Sequence, residues 1–513
     1  MTSKQRSNSQ NSKPEKTTPE KAAPEKIAKT LGFPVLPYEK IIATALGQGG
    51  DFAELFFEDV ASTRVEWENS RVESIVEGVD RGVGLRVIFD RRTFYSYTTD
   101  LSAKAVLRLA EVIQKTVAAE KRGSDAKVTK AKLGFQKRGW TASTQPNREI
   151  ADYQVKKPTR NITLKQKTMV AKRIENAARK ALPEAVHITA AVGDSVRRIL
   201  VLNSDGVIAW DRKNYFQMIG QVVGRKDSRI ETAYESRGGY VGFEYLKTVT
   251  PESIGEKAAA RVQILLEAKP APSGTLPVVM AAEAGGTMIH EAVGHGLEAD
   301  LACNGLSVYA GRVGEKVASS LVTVVDEGSL VGRRGSYAFD DEGTPSRRNV
   351  LIENGVLKGY MVDRLSAMKF DLMTTGNGRR ESFRHVPIVR MTNTYIAPGK
   401  HDPDSILRDT PKGIFVKAMG GGQVDTVTGD FVFAVTEGYL IRDGKIGEPI
   451  RGATLVGNGP KAMSIVDRVG TDLDFITGTC GKDGQHAPVT DAQPTLRIPE
   501  LTVGGEVSPD EYW

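Results

Sequence analysis

Residues His290–Asp300 read HEAVGHGLEAD, two imidazoles with a carboxylate directly after the first. These are the residue types of a hydrolytic metal centre. Neutral imidazoles bind zinc, and a neighbouring carboxylate can take a proton from water. Catalytic zinc usually holds three protein ligands and keeps a further position for water, whose pKa falls to about 7 on the metal. His290 and His295 are therefore candidate ligands, and Glu291 is the candidate general base. The spacing poses a difficulty. Residues four apart on an α-helix lie about 40° apart around the axis, and residues five apart about 140°. An undistorted helix would turn the rings away from each other, but Gly294 and Gly296 flank the second histidine, where a π-bulge or a break could realign them.

A third ligand has four candidates. Glu298 and Asp300 qualify by proximity, Cys303 and Cys480 because zinc accepts thiolate. Spacing does not choose among them. The bland alternative, two histidines on a core helix, is open to a chain with six histidines.

Other clusters could also do chemistry. TGNGRRES places Asn377, Arg379 and Arg380 where amide and guanidinium donors could meet a substrate carbonyl or carboxylate, although a tight turn with solvated arginines fits equally. Asp340, Asp341 and Glu342 read as a turn with capping or salt-bridge duties rather than a cation site. Gly420–Gly422 lacks the spacing and lysine of a phosphate loop. His385 and His401 have no GxSxG nucleophile to serve.

The elements that must position these groups follow from pattern. FAELFFEDVASTRVEWE and its successors alternate β-branched and aromatic residues, and LSAKAVLRLAEVIQKTVAAEKRG is amphipathic at helical spacing and stops at glycine. Together they make an N-terminal α+β domain over 35–122. A basic, weakly periodic connector follows over 123–158. A central α+β domain spans 159–270, with a hairpin turn at Asp205-Gly206 and a helix opened by Thr250-Pro251. From 271 to 505 the chain is glycine-rich strand and loop, with hairpin pairs Asn354-Gly355 and Asp443-Gly444, and the histidine motif on a helix. The fold class is thus α+β: two small α+β units, then a predominantly β half carrying a metal-binding helix.

Composition bounds the class. The chain has 513 residues, 40% hydrophobic, and no apolar run near the roughly 20 residues that cross a bilayer. The first 30 residues repeat PEK at Pro14, Pro19 and Pro24, too polar to order themselves and too acidic for a transit peptide, and are expected to be a disordered tail. Two cysteines make no disulfide framework and suit the cytoplasm. The net charge of +7 is regional: residues 104–173 hold 18 Lys and Arg against 5 Asp and Glu. A solvated basic segment accounts for this, and nucleic acid is not an expected partner.

HEAVGHGLEAD, RRGSYAFDDEGTPSRRNVLIENGVLKGYMVD, TGNGRRES, VRMTNTY, GGGQVD, GATLVGNGP and GTCGKDGQ, in this order, resemble the TldD/PmbA metallopeptidase family, in its metal-bearing TldD-like form. The resemblance runs over about residues 50–505. It implies zinc held by His290, His295 and Cys480, with Glu291 catalytic. It further implies unfolded peptide substrates, and a homodimer or a heterodimer with a metal-less PmbA/TldE-like paralogue. The contrasting expectation is a non-catalytic modulator that binds a protein or nucleic-acid complex through the basic region; such a binder has no need of Glu291 beside two histidines.

Overall fold

A computed structural model describes residues 23–122, 133–142, 153 and 155–513. Helices and strands segregate as an α+β fold. The two N-terminal units are fused by one sheet rather than built as separate sheets. Its strands run in the order Arg92–Thr98, Arg71–Phe89, Phe52–Glu68, His187–Asn203, Val207–Lys226, and both Arg229–Tyr240 and Thr141–Ala142 pair with the last. Phe52–Glu68 meets His187–Asn203 antiparallel along its length, with Phe56 opposite Val201 and Val65 opposite Val192.

Both faces of this sheet are covered, which is why FAELFF is apolar almost without alternation. Leu55, Phe57, Leu200 and Leu202 pack under the helices Pro24–Leu31, Tyr38–Ala45 and Ala103–Arg122. Further along the same face, Val192, Phe216 and Met218 pack under Leu164–Ala181 and Pro251–Glu267. Both of those helices begin on a threonine cap: Thr163 forms a capping box with Gln166, and Thr250 accepts from the Ser253 N–H ahead of Pro251. The opposite face, with Phe56, Ile199 and Ala209, packs on Phe339 and Phe383 of the C-terminal half.

Two expectations change here. The tail does not extend to residue 30: Pro24–Leu31 is a helix with Ala28 and Leu31 buried in the first core, and residues 1–22 lie outside the described residues. The basic connector lies partly outside them too, but its middle is anchored rather than free. Phe135 stacks on Trp140 at 5.0 Å in the same core, and Thr141 pairs with Val207. The two aromatics supply the burial that a charge count conceals. No helix among the described residues is long and apolar enough to cross a membrane.

The C-terminal half holds two larger sheets. In one, Lys412–Val424, Gly274–Met280, Leu496–Gly504, Thr454–Asn458 and Asp430–Arg442 pair in turn, and the last pairs back to the first, closing a five-stranded ring. The other runs Val356–Leu357, Arg348–Glu353, Val324–Glu327, Asn393–Ile396, Gln485–Gln493, Asp474–Lys482. A single large core, which includes Met288, Ile289, Val293 and Met391, joins the ring to this second sheet.

Candidate metal centre

The histidine motif is a distorted helix wedged into that core. Thr287–Ile289 is α-helical, His290–Gly294 is a π-turn, and His295–Leu297 tightens to 3₁₀. The extra residue in the π-turn is the distortion that five-residue spacing requires. The two imidazole centroids lie 5.0 Å apart with their planes at 86°. Glycine is needed at position 294 for room: a Cβ there would lie 2.1 Å from Met391 Sδ.

Cys480 enters from the edge strand Asp474–Lys482, antiparallel to Gln485–Gln493 and opposite Ala487. One donor atom from each of His290, His295 and Cys480 lies within 4.8 Å of the others, and all three residues are buried. Cys480 Sγ is 3.4 Å from His295 Nε2. Each imidazole is oriented through its other nitrogen: His290 Nδ1 meets Asp491 at 2.7 Å and His295 Nδ1 meets Glu298 at 3.0 Å. With both Nδ1 protons given to carboxylates, both Nε2 lone pairs are left for the centre.

The electrostatics are those of a cation site. Burial opposes charge on all three groups, yet the neighbouring imidazoles, His290 foremost, hold the Cys480 thiol down to about 4. Burial would lower His295, but Glu298 and Cys480 lift it to about 9, and Asp491 and Cys480 hold His290 well above its usual range. The two imidazoles beside the thiolate thus hold protons that an arriving cation would displace. Glu291 projects beside them, Oε2 at 3.9 Å from His295 Nε2 and its side chain 23% exposed. Burial raises its pKa, with the two imidazoles working against the rise.

The other sequence candidates take different places. Glu298 orients His295 and pairs with Lys482 at 3.1 Å; Asp300 pairs with the same ammonium at 2.6 Å. Cys303 stands outside the cluster. Asn377, Arg379 and Arg380 are buried and bonded largely internally, with Arg380 Nε left unpaired in the interior. Asn377 donates to Asp326 and to the Arg390 carbonyl, Arg379 to the carbonyls of Met391 and Pro488, and Arg380 to Glu54 and the Asp341 carbonyl. Asp341 and Glu342 salt-bridge Arg197 and Arg86 of the first sheet.

Sequence reading missed Asp491, Lys482 and Arg390. Arg390, 0% exposed, donates to the carbonyls of Cys480 at 2.6 Å and Gln485 at 3.1 Å and so braces the hairpin that carries the thiol. A signal for Lys482 exists in its position two residues after Cys480, on the same face of one strand. For Asp491 and Arg390 there is none, since each acts across a tertiary contact.

Two imidazoles and a thiol converging beside a carboxylate form the kind of centre found in metal-dependent hydrolases. The chain belongs to the PmbA/TldD metallopeptidase family. Residues 53–121 match the PmbA/TldA metallopeptidase domain 1, 157–266 its central domain and 273–505 its C-terminal domain. It is 35% identical over 462 residues to a Metalloprotease TldD homolog of Haemophilus influenzae, covering 89% of this chain and 93% of that protein. It is 33% identical over 236 residues to a Zinc metalloprotease TldD homolog of Saccharolobus solfataricus, covering 46% of this chain and 53% of that protein. The fold matches the crystal structure of TldE from Thermococcus kodakarensis with a TM-score of 0.72 at 21% identity, over 91% of this chain and 100% of that one.

Proposed function

We propose that the protein is a zinc-dependent peptidase that hydrolyses peptide bonds in unfolded or extended chains. The observation that carries this reading is the convergence of His290, His295 and Cys480 beside Glu291. The three would hold the ion through the atoms that face one another, and a mixed nitrogen and sulfur set suits zinc. Bound there, zinc would supply Lewis-acid polarisation of the scissile carbonyl.

Glu291 is the general base. Its carboxylate takes a proton from the attacking water as the new carbon–oxygen bond forms, and returns it to the amine nitrogen as the carbon–nitrogen bond breaks. Burial that raises its pKa brings it nearer to the pH at which it works. Asp491 and Glu298 fix the imidazole tautomers throughout. Because all three donors are buried, a flexible segment can reach them where a folded domain cannot. The protein acts in the cytoplasm, as a homodimer or with a metal-less TldE-like partner.

Zinc content and cleavage of an unfolded peptide, measured for the wild type, Glu291→Ala and Cys480→Ala, test this. Glu291→Ala should keep zinc and lose cleavage, while Cys480→Ala should lose zinc. Normal cleavage by Glu291→Ala would remove Glu291 from the role of general base, absence of cleavage by the wild type would favour the non-catalytic modulator, and full zinc in Cys480→Ala would remove the thiol from the ligand set.

A further inference from the structure

The face of the seven-stranded sheet that meets the C-terminal half carries a second polar cluster. Asp211, Lys213 and Tyr215 alternate along Val207–Lys226, and Arg197 stands opposite Lys213 on the next strand. Residues 334–339 cross this face. The Ala338 N–H donates to Asp211, the Tyr337 ring lies 4.6 Å from Lys213 Nζ, and the Arg334 guanidinium lies 5.8 Å from the Tyr215 ring.

The acids in this cluster are already engaged. Glu58 and Asp341 pair with Arg197, Asp341 also accepts from the Arg380 N–H, and Asp211 accepts the N–H groups of Ala338 and Arg212. Lys213 is only 2% exposed, and its ammonium has no hydrogen-bond acceptor among the described residues. Arg197 Nη2 is likewise buried without a partner. Arg334 commits Nε to the Gly478 carbonyl at 3.2 Å. Asp341 and Asp211 act on this ammonium through space without bonding to it, and a ligand oxygen arriving there would give it the acceptor it lacks. Burial pushes Lys213 down to about 8, so it is still largely charged at neutral pH.

The cluster also adjoins the metal centre. Gly478, held by Arg334, lies two residues before Cys480 on one strand, about 7 Å along it. Past Tyr215 the sheet face opens: a Cβ at Gly193, opposite Gln217, would meet nothing within 4 Å.

We propose that Lys213, with Arg334 and Arg197 Nη2, forms a subsite for a carboxylate of the peptide substrate, about two residues from the scissile bond. This rests on the peptidase reading above. The carboxylate is either the chain's own C-terminus or an Asp or Glu side chain.

Two peptide pairs separate these sources: a free C-terminal acid against its amide, and an internal Glu against Gln. Cleavage is measured with wild type, and binding by fluorescence anisotropy with zinc-loaded Glu291→Gln. The acid of one pair should be bound and cleaved about tenfold better or more, the discrimination expected when a buried charge is left unpaired by the analogue. Lys213→Met should cut that preference below about threefold, and Lys213→Arg should restore part of it. Arg334→Gln gives the same reading should Lys213→Met fail to fold. The proposal is overturned if both pairs bind equally, or if Lys213→Met and Arg334→Gln keep the full preference. Absence of all cleavage would count against the peptidase reading, and binding would still decide the subsite.

Discussion

Gly294→Ala should weaken zinc binding without touching a ligand. The added Cβ would sit 2.1 Å from Met391 Sδ, 3.1 Å from its Cε and 3.4 Å from its Cγ. Comfortable contact between such atoms is about 3.5–4.0 Å, so the overlap with sulfur exceeds an ångström. Met391 is 0% exposed and cannot swing into solvent. Overpacking of this kind costs about 1–3 kcal/mol. The softer side of the contact is the π-turn that carries both histidines, so most of the strain should appear as displaced imidazoles. At about 1.4 kcal/mol per decade, zinc affinity should fall roughly 5- to 150-fold. Competition against a chromophoric chelator measures it. Met391→Ala opens space beneath the turn, so the double variant Gly294→Ala/Met391→Ala should recover most of the affinity, a coupling expected only of groups in contact. Zinc affinity of Gly294→Ala within twofold of wild type, or a double variant no better than the single, would refute the argument that steric room at position 294 sets the site's geometry.

Three further outcomes follow from the same contacts. Asp491→Asn should cost about 10- to 100-fold in zinc affinity, since it removes the carboxylate that orients His290; chelator competition measures it. Lys482→Met leaves the buried Glu298 and the half-buried Asp300 without their shared cation and should lower unfolding free energy by about 3 kcal/mol in urea. Burial, then Glu342, raises Asp363 to about 7 from an ordinary value near 4. The folded state therefore binds this proton more tightly, and the group's contribution to stability declines as pH rises from about 4 to 7, at about 1.4 kcal/mol per unit. Asp363→Asn, which keeps the helix cap on Ser366, should flatten that slope in urea midpoints taken from pH 5 to 8.

The local rules were legible because they act within a few residues. Thr250-Pro251 opens a helix, and Asn354-Gly355, Asp443-Gly444 and Asp205-Gly206 turn hairpins where their φ > 0 chemistry requires. Five-residue spacing between histidines demanded a distorted helix, and the π-turn supplies it. What escaped lies across sequence distance. Nothing in Phe52–Glu68 says that its partner is His187–Asn203, so the two N-terminal units read as separate sheets rather than one. Arg379 and Arg380 looked like solvated or substrate-facing cations because charge is visible in a sequence and its buried partners, Glu54 and the carbonyls of Met391 and Pro488, are not.

One short segment shows how the centre is held. Val389, Arg390 and Met391 carry no candidate ligand, yet each touches a different part of it. The Val389 carbonyl accepts from Lys482, which pairs with the carboxylate orienting His295. Arg390 clamps the carbonyls of Cys480 and Gln485, and Met391 lies beneath Gly294 in the π-turn. The backbone of this segment is itself fixed, since Asn377 accepts from the Arg390 N–H through its carbonyl and donates to the Arg390 carbonyl through its amide. Two of the facing donors stand on a turn and the third on a sheet edge nearly two hundred residues away in the chain, 185 from His295 to Cys480. The cluster's geometry therefore depends on a shared brace more than on either element alone. Asn377 of TGNGRRES acts at the base of that brace through its two hydrogen bonds to Arg390.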